Sequence, residues 1–177
     1  MPKNRFSDDI EDKNYKEDFK NHIYIKNGSM MERTKQGIYY FSEIEGVIEG
    51  IRLDEDAFPF WCIDLRNEKN GELYSLFLHR RSGAFNGLIL QLAGKKGLEA
   101  IRNRTTIRIE AYCDYIDGVI ASYDKIRVYI DGNTVDWAAT KLPPIERRMI
   151  GNKLVRDYGK RDAMLYFFID EICEQLV

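Results

Sequence analysis

Two close pairs of carboxylates, Asp54 with Asp56 and Asp114 with Asp117, have the makings of a Mg²⁺ site for phosphodiester hydrolysis, because hard cations take oxygen ligands. Turns are ordinarily rich in solvated acids, so this spacing does not by itself make a nuclease. His79, followed by Arg80 and Arg81, has general-base chemistry, but no third group at a telling spacing orients it, and it reads as a polar strand end. Gly94-Lys95-Lys96-Gly97 lacks the spacing and the Ser or Thr of a phosphate loop. No H-E-x-x-H, G-x-S-x-G or dinucleotide fingerprint occurs. Cys62, Cys113 and Cys173 stand far apart without a C-x-x-C, with only His22 and His79 to join them, so they read as small hydrophobes and not as a zinc site or a disulfide framework. The expectation is a protein that is not an enzyme and needs no metal or cofactor.

A different chemistry follows from aromatic residues interleaved with cations on alternating segments. Side chains alternate across a strand, so each strand divides into a core set and an outward set. In TTIRIEAYC, Ile107, Ile109 and Ala111 take the core and Arg108, Glu110 and Tyr112 point out; in KIRVYI, Ile126, Val128 and Ile130 point in and Lys125, Arg127 and Tyr129 out. Leu76 and Leu78 turn Ser75, Phe77 and His79 outward, while Ile63 and Leu65 do the same for Phe60 and Cys62. Trp61 shares the core parity. Phe60, Phe77, Tyr112 and Tyr129 would then stack unpaired bases while Arg108, Lys125 and Arg127, with Arg80 and Arg81 at a strand end, follow the phosphates. Between residues 80 and 108 seven Lys or Arg face a single acid, Glu99, although a solvated helix face would look the same. The acidic run Asp54-Glu55-Asp56 opposes phosphate binding nearby.

The elements that must position these groups are short. Strands are predicted at Glu43 to Leu53, led in by Tyr39-Tyr40-Phe41 and bent at Gly46 and Gly50; at Phe58 to Leu65; at Glu72 to His79, after an Asn70-Gly71 turn; at Thr105 to Cys113; and at Val119 to Ile130. Ser82 to Arg102 reads as a capped helical insert broken near Gly94, and residues 134–137 as a short closing strand. Three meandering strands, a helical crossover and a hairpin are the order of a five-stranded OB-fold barrel, a mainly β class. The predicted organisation is a mobile polar arm at 1–35, the OB domain at 36–138, a linker at 139–161 opened by Lys141-Leu142-Pro143-Pro144, and an amphipathic helix at 162–177 striped by Leu165, Phe168, Ile169, Ile172 and Leu176. The arm holds 8 basic and 7 acidic residues and few aliphatics, although Ile23-Tyr24-Ile25 has the character of an edge strand.

Bulk properties set outer limits. With 177 residues, 44% hydrophobic and 32% charged, one packed domain with flanking arms is expected. The balance of 27 Lys plus Arg against 29 Asp plus Glu excludes a uniformly basic coat. No apolar run reaches the roughly 20 residues of a spanning helix and the first 20 residues lack the apolar middle of a signal peptide, so a soluble intracellular protein without a membrane partner is expected.

KIRVYIDGNTVDWA at 125–138, the following Lys141-Leu142-Pro143, the late amphipathic helix, EGVIEGIRL and ELYSLFLHRRSG together make residues 43–177 similar to the small OB-type single-stranded DNA-binding proteins of bacteriophages and related mobile elements. The resemblance implies non-catalytic coating of single strands during replication or recombination, in the cytoplasm of a bacterium or infected host, with the groove on the outer strand faces and the Arg80-Arg81 turn. The acidic, phenylalanine-ended tail of bacterial single-strand binders is replaced here by Glu174-Gln175-Leu176-Val177. Stacking does not separate DNA from RNA. Two other readings stand beside this one. The first is a structural module that forms homo- or hetero-oligomers, through the C-terminal helix or the N-terminal arm, and the second is the Mg²⁺-dependent nuclease.

Overall fold

The structure, a computed structural model, describes residues 21–54 and 59–177. The first described strands are β1 (Asn21–Lys26), β2 (Ser29–Thr34) and β3 (Gly37–Phe41), followed by β4 (Glu43–Leu53), β5 (Phe60–Arg66) and β6 (Leu73–His79). Two helices come next, α1 (Gly83–Leu92) and α2 (Lys95–Arg102), then β7 (Ile107–Tyr112), the small hairpin β8 (Tyr115–Ile116) and β9 (Val119–Ile120), β10 (Lys125–Ile130) and β11 (Asn133–Thr134). A separate ribbon, β12 (Glu146–Ile150) with β13 (Lys153–Asp157), leads into α3 (Gly159–Glu174).

Nine strands form one mixed sheet in the order β11-β10-β7-β4-β5-β6-β1-β2-β3, antiparallel at every step except β1 beside β6. β4 is its pivot. Residues 43–46 pair with β7 and residues 47–53 with β5, and the register slips between Ile48 and Gly50, where a bulge was expected. A side chain on Gly46 would meet the Arg66 carbonyl at 2.8 Å, so the bend needs glycine there.

The mainly β class, the helical insert and the C-terminal helix agree with the sequence reading, but the ladder does not close into a barrel. Both edges that closure would join are already occupied. β1 lies along β6, and β11 takes the end of the outer edge of β10 at residues 129–130 while α1 covers the rest through Gln91, whose Nε2 donates to the Ile126 carbonyl at 2.9 Å and whose Oε1 accepts from the Val128 amide at 2.8 Å. Gln91 is 2% exposed and serves as a one-residue substitute for a neighbouring strand.

The core sits between the sheet and the helices. Phe85, Leu88, Ile89 and Leu92 of α1 are buried at the predicted helical spacing, Trp61 stacks on Phe85 with centroids 5.8 Å apart, and Leu165, Phe168, Ile169 and Ile172 of α3 complete the layer. Ser82 caps α1 by accepting the Phe85 amide at 3.1 Å. The helical insert breaks at Gly94, whose backbone is extended and where any side chain would run into the Asp136 carbonyl.

Three boundaries differ from expectation. Residues 21–34 are not part of an arm: Ile23 and Met30 are fully buried, and β1 is an interior strand with neighbours on both sides, while the expected mobility of residues 1–20 lies outside the described residues. The 139–161 linker contains the β12–β13 ribbon, and α3 starts at Gly159. The fifth predicted strand splits into β9 and β10 at residues 121–124, and a turn at Asp117-Gly118 with positive φ at both residues folds β8 onto β9 ahead of that break. Phe58, as the start of the second strand, and Glu55 and Asp56 also lie outside the described residues.

Replacing Gln91 by Leu leaves the Ile126 carbonyl and the Val128 amide buried without partners, each costing about 1–3 kcal/mol. Urea unfolding of Gln91→Leu should therefore show a loss of roughly 2–6 kcal/mol against wild type.

Candidate functional site

The nine residues assigned to a stacking face do not share one surface. Phe77 is 3% exposed, because β1 brings Tyr24 into a stacked contact at 5.1 Å and His22 to 4.9 Å. Its neighbours Cys62 and Ser75 are also buried, and Ser75 Oγ donates to the buried Asp64 carboxylate at 2.6 Å, which Arg52 Nε also approaches at 3.2 Å. β5 is thus covered on both faces, and Phe77 offers no stacking platform. Phe60 remains half-buried at the rim, edge-on to His79.

The outer face of β7 and β10 carries the expected side chains, and the predicted core parity holds, with Ile130 only partly buried. Its charges, however, answer one another. Arg108 lies over Tyr129 at 4.0 Å and donates to Glu43 at 2.7 Å; Arg127 lies over Tyr112 at 4.5 Å and sits 3.9 Å from Glu110; Lys125 donates to Asp114 at 2.6 Å. The Lys125 ammonium, helped by Ser122, holds the Asp114 carboxylate below its ordinary range. Arg108, Arg127 and Tyr129 therefore belong to a charge-balanced wall.

Arg80, Arg81, Tyr112 and Lys125 instead meet at a groove around the start of α1. It consists of two adjoining hollows of about 570 and 320 Å³ that share Gly83, Asn86, Tyr123, Asp124 and Arg161. The larger is lined by Arg80, Arg81, Arg156 and Arg161 together with Tyr158, and the smaller by Tyr112, Tyr123, Trp137, Lys125, Leu90 and Leu142. Cations and rings thus adjoin.

Local chemistry builds this arrangement. After β6, Ser82 Oγ donates to the His79 carbonyl at 2.7 Å and the Arg81 amide donates to His79 Nδ1 at 3.1 Å, so the chain turns tightly and delivers both arginines to the positive end of α1. His79 thus has a positioning contact within the turn. Arg81 bonds Asp162 Oδ1 at 2.5 Å and lies over the Tyr158 ring at 3.8 Å, while Arg161 Nε donates to the Pro143 carbonyl at 2.9 Å. Asp124, the other acid in the groove, accepts the Gly28 amide at 2.5 Å. Trp137 is 49% and Tyr123 83% exposed, so both rings present open faces.

The ribbon beside the groove adds an unusual pair. Arg147 and Arg156 stand directly opposite each other, an arrangement that repels. Arg148 takes Asp157 and shares Glu146 with Lys160, and among the described residues Arg147 and Arg156 form no ion pair. Tyr123, Trp137, Arg156 and Arg161 escaped the sequence reading. Tyr123 lies in a loop within what reads as one continuous strand, and Trp137 follows the last strand of the sheet. The remaining basic residues of the 80–108 cluster disperse: Arg102 donates to Gln175 at 2.8 Å and Arg104 reaches Glu49 at 3.4 Å.

Among the described residues no helix is long and apolar enough to cross a membrane, and no group of three or more His, Cys, Asp or Glu is placed to hold a metal ion. Comparison with protein families, with curated proteins and with solved structures finds no match to this chain.

A carboxylate with a lowered folded pKa stabilises above its unfolded value of about 3.9 and loses that contribution as pH falls through the folded one. Carbon-detected NMR titration should therefore find the Asp114 midpoint below that of an unstructured Asp, and Lys125→Ala should return it toward the ordinary value.

Proposed function

We propose that this chain binds single-stranded nucleic acid, without catalysis, in the groove at the start of α1. The observation that carries this reading is the junction of four arginines with the open rings of Tyr123 and Trp137 across shared walls. Bases stack on such rings whatever their sequence, while guanidiniums pair with phosphate oxygens, so the two hollows match the two halves of a nucleotide strand. The unpaired Arg147 and Arg156 extend the cationic track along the ribbon. Arg80, Arg81 and Tyr112 keep the roles first assigned to them, Lys125 lines the groove but is held by Asp114, Phe60 is peripheral, and Phe77 has none.

The relation to OB-type single-strand binders then rests on element order: the β4-β5-β6 meander, a helical segment, and β7 with β10. The ligand surface moves from the sheet face to the side where α1 crosses β10. A role in replication or recombination belongs to the same proposal. The nuclease reading draws less support, since Lys125 already engages the Asp114 carboxylate.

Oligonucleotide titrations test the groove. Tyr123→Ala and Trp137→Ala should each weaken binding of a short single strand by about 1–3 kcal/mol, because each removes one stacking surface. The double change Arg147→Ala with Arg156→Ala should flatten the plot of log affinity against log salt by roughly 1.4, two phosphates at about 0.7 each. Asp162→Asn should tighten binding at low salt by releasing Arg81 from its acid. Equal affinity for duplex and single strand, or no effect of either ring, contradicts the proposal.

A further inference from the structure

Among the described residues β3 is the last strand of the ladder, bonded to β2 on one side only, and its sequence GIYYF carries none of the usual edge protections. There is no proline, charge or bulge within it. Ile38, Tyr39 and Tyr40 are 49, 50 and 65% exposed, a contiguous apolar edge.

Lys35 and Gln36 are the whole β2–β3 turn, so Thr34 and Gly37 form the bonded pair that closes the hairpin. Alternation then turns the backbone groups of Gly37, Tyr39 and Phe41 toward β2 and those of Ile38 and Tyr40 toward the open side. An antiparallel neighbour centred on Tyr39 meets Ile38 and Tyr40 with matching donors and acceptors. A second copy of the same edge supplies that neighbour in one register. Ile38 of one chain faces Tyr40 of the other, Tyr39 faces itself, and Lys35 stands opposite Glu43, which also accepts from Arg108 of its own chain, so opposite charges adjoin at either end. Centring on Ile38 sets Lys35 against Phe41, and centring on Tyr40 sets Ile38 against Ser42, so neither alternative pairs both the apolar side chains and the charges.

We infer that β3 is a homodimer interface, in which two copies pair their Gly37–Phe41 edges antiparallel about Tyr39 and join their sheets across a two-fold axis. The interface lies outside the groove and does not depend on what the groove binds. It also differs from the C-terminal helix and the N-terminal arm considered from sequence.

Sedimentation equilibrium and cysteine cross-linking of the full chain decide the matter. Wild type should be a dimer, and Tyr40→Lys, an exposed change that leaves the circular dichroism spectrum intact, should weaken dimerisation by at least about tenfold through two symmetry-related contacts. In the proposed register the Tyr39 Cα atoms face each other as an unbonded pair about 4.5 Å apart, within disulfide reach. Tyr39→Cys should therefore form a reducible covalent dimer under mild oxidation, above the background of wild type with its own three cysteines. A monomeric wild type overturns the inference. So does a dimer that survives Tyr40→Lys while Tyr39→Cys stays uncross-linked, since the contact then lies elsewhere.

Discussion

The carboxamide of Gln91 holds the architecture of the site together. A helix has no natural complement for the open edge of a strand, and the β10 edge is too buried to be left to water. By bonding the Ile126 carbonyl and the Val128 amide, and by donating also to the Gly87 carbonyl within its own helix, Gln91 locks α1 at a fixed place on that edge. Glycines 83 and 87 keep the helix surface low where it meets the β9–β10 loop and Trp137. Everything that gathers at the start of α1 inherits its position from this contact.

Electrostatics then separates two surfaces that look alike in sequence. On the outer face of β7 and β10, each cation has an acid or a ring of its own chain within reach, so a phosphate arriving there displaces existing partners. Around α1 four arginines face two lining acids, Asp162, which pairs with Arg81, and Asp124, which takes the Gly28 amide, and the arginines come from three separate stretches: residues 80–81, Arg156 and Arg161. A net charge of −2 is compatible with this, because what attracts a strand is the local excess of cations lining a concave surface and not the sum over the chain.

How much of this was legible in the sequence depended on how local each signal was. The β7 and β10 parities, the Ser82 cap, the β4 bulge and the break at Gly94 are written in adjacent residues and emerged as read. β2 was hidden, and β1 showed only as the edge-strand character of Ile23-Tyr24-Ile25, because NHIYIK and SMMERT are short and polar and become strands only when β6, some fifty residues later, offers an edge. That insertion also explains Phe77: its parity was right, but exposure depends on which strand lies alongside. Arg80, Arg81, Tyr112 and Lys125 were found from local charge and alternation, whereas Arg156, Arg161, Tyr123 and Trp137 join them only through the packing of α3 and the ribbon against α1.

Tryptophan emission reports on the groove most directly, because Trp137 stands half-exposed within it and Trp61 is buried against Phe85. On titration with a short single-stranded oligonucleotide, the account predicts saturable quenching of Trp137, protection of the residual emission from iodide, and reversal of both by added salt. An emission spectrum and iodide accessibility that stay unchanged at saturating oligonucleotide would contradict it.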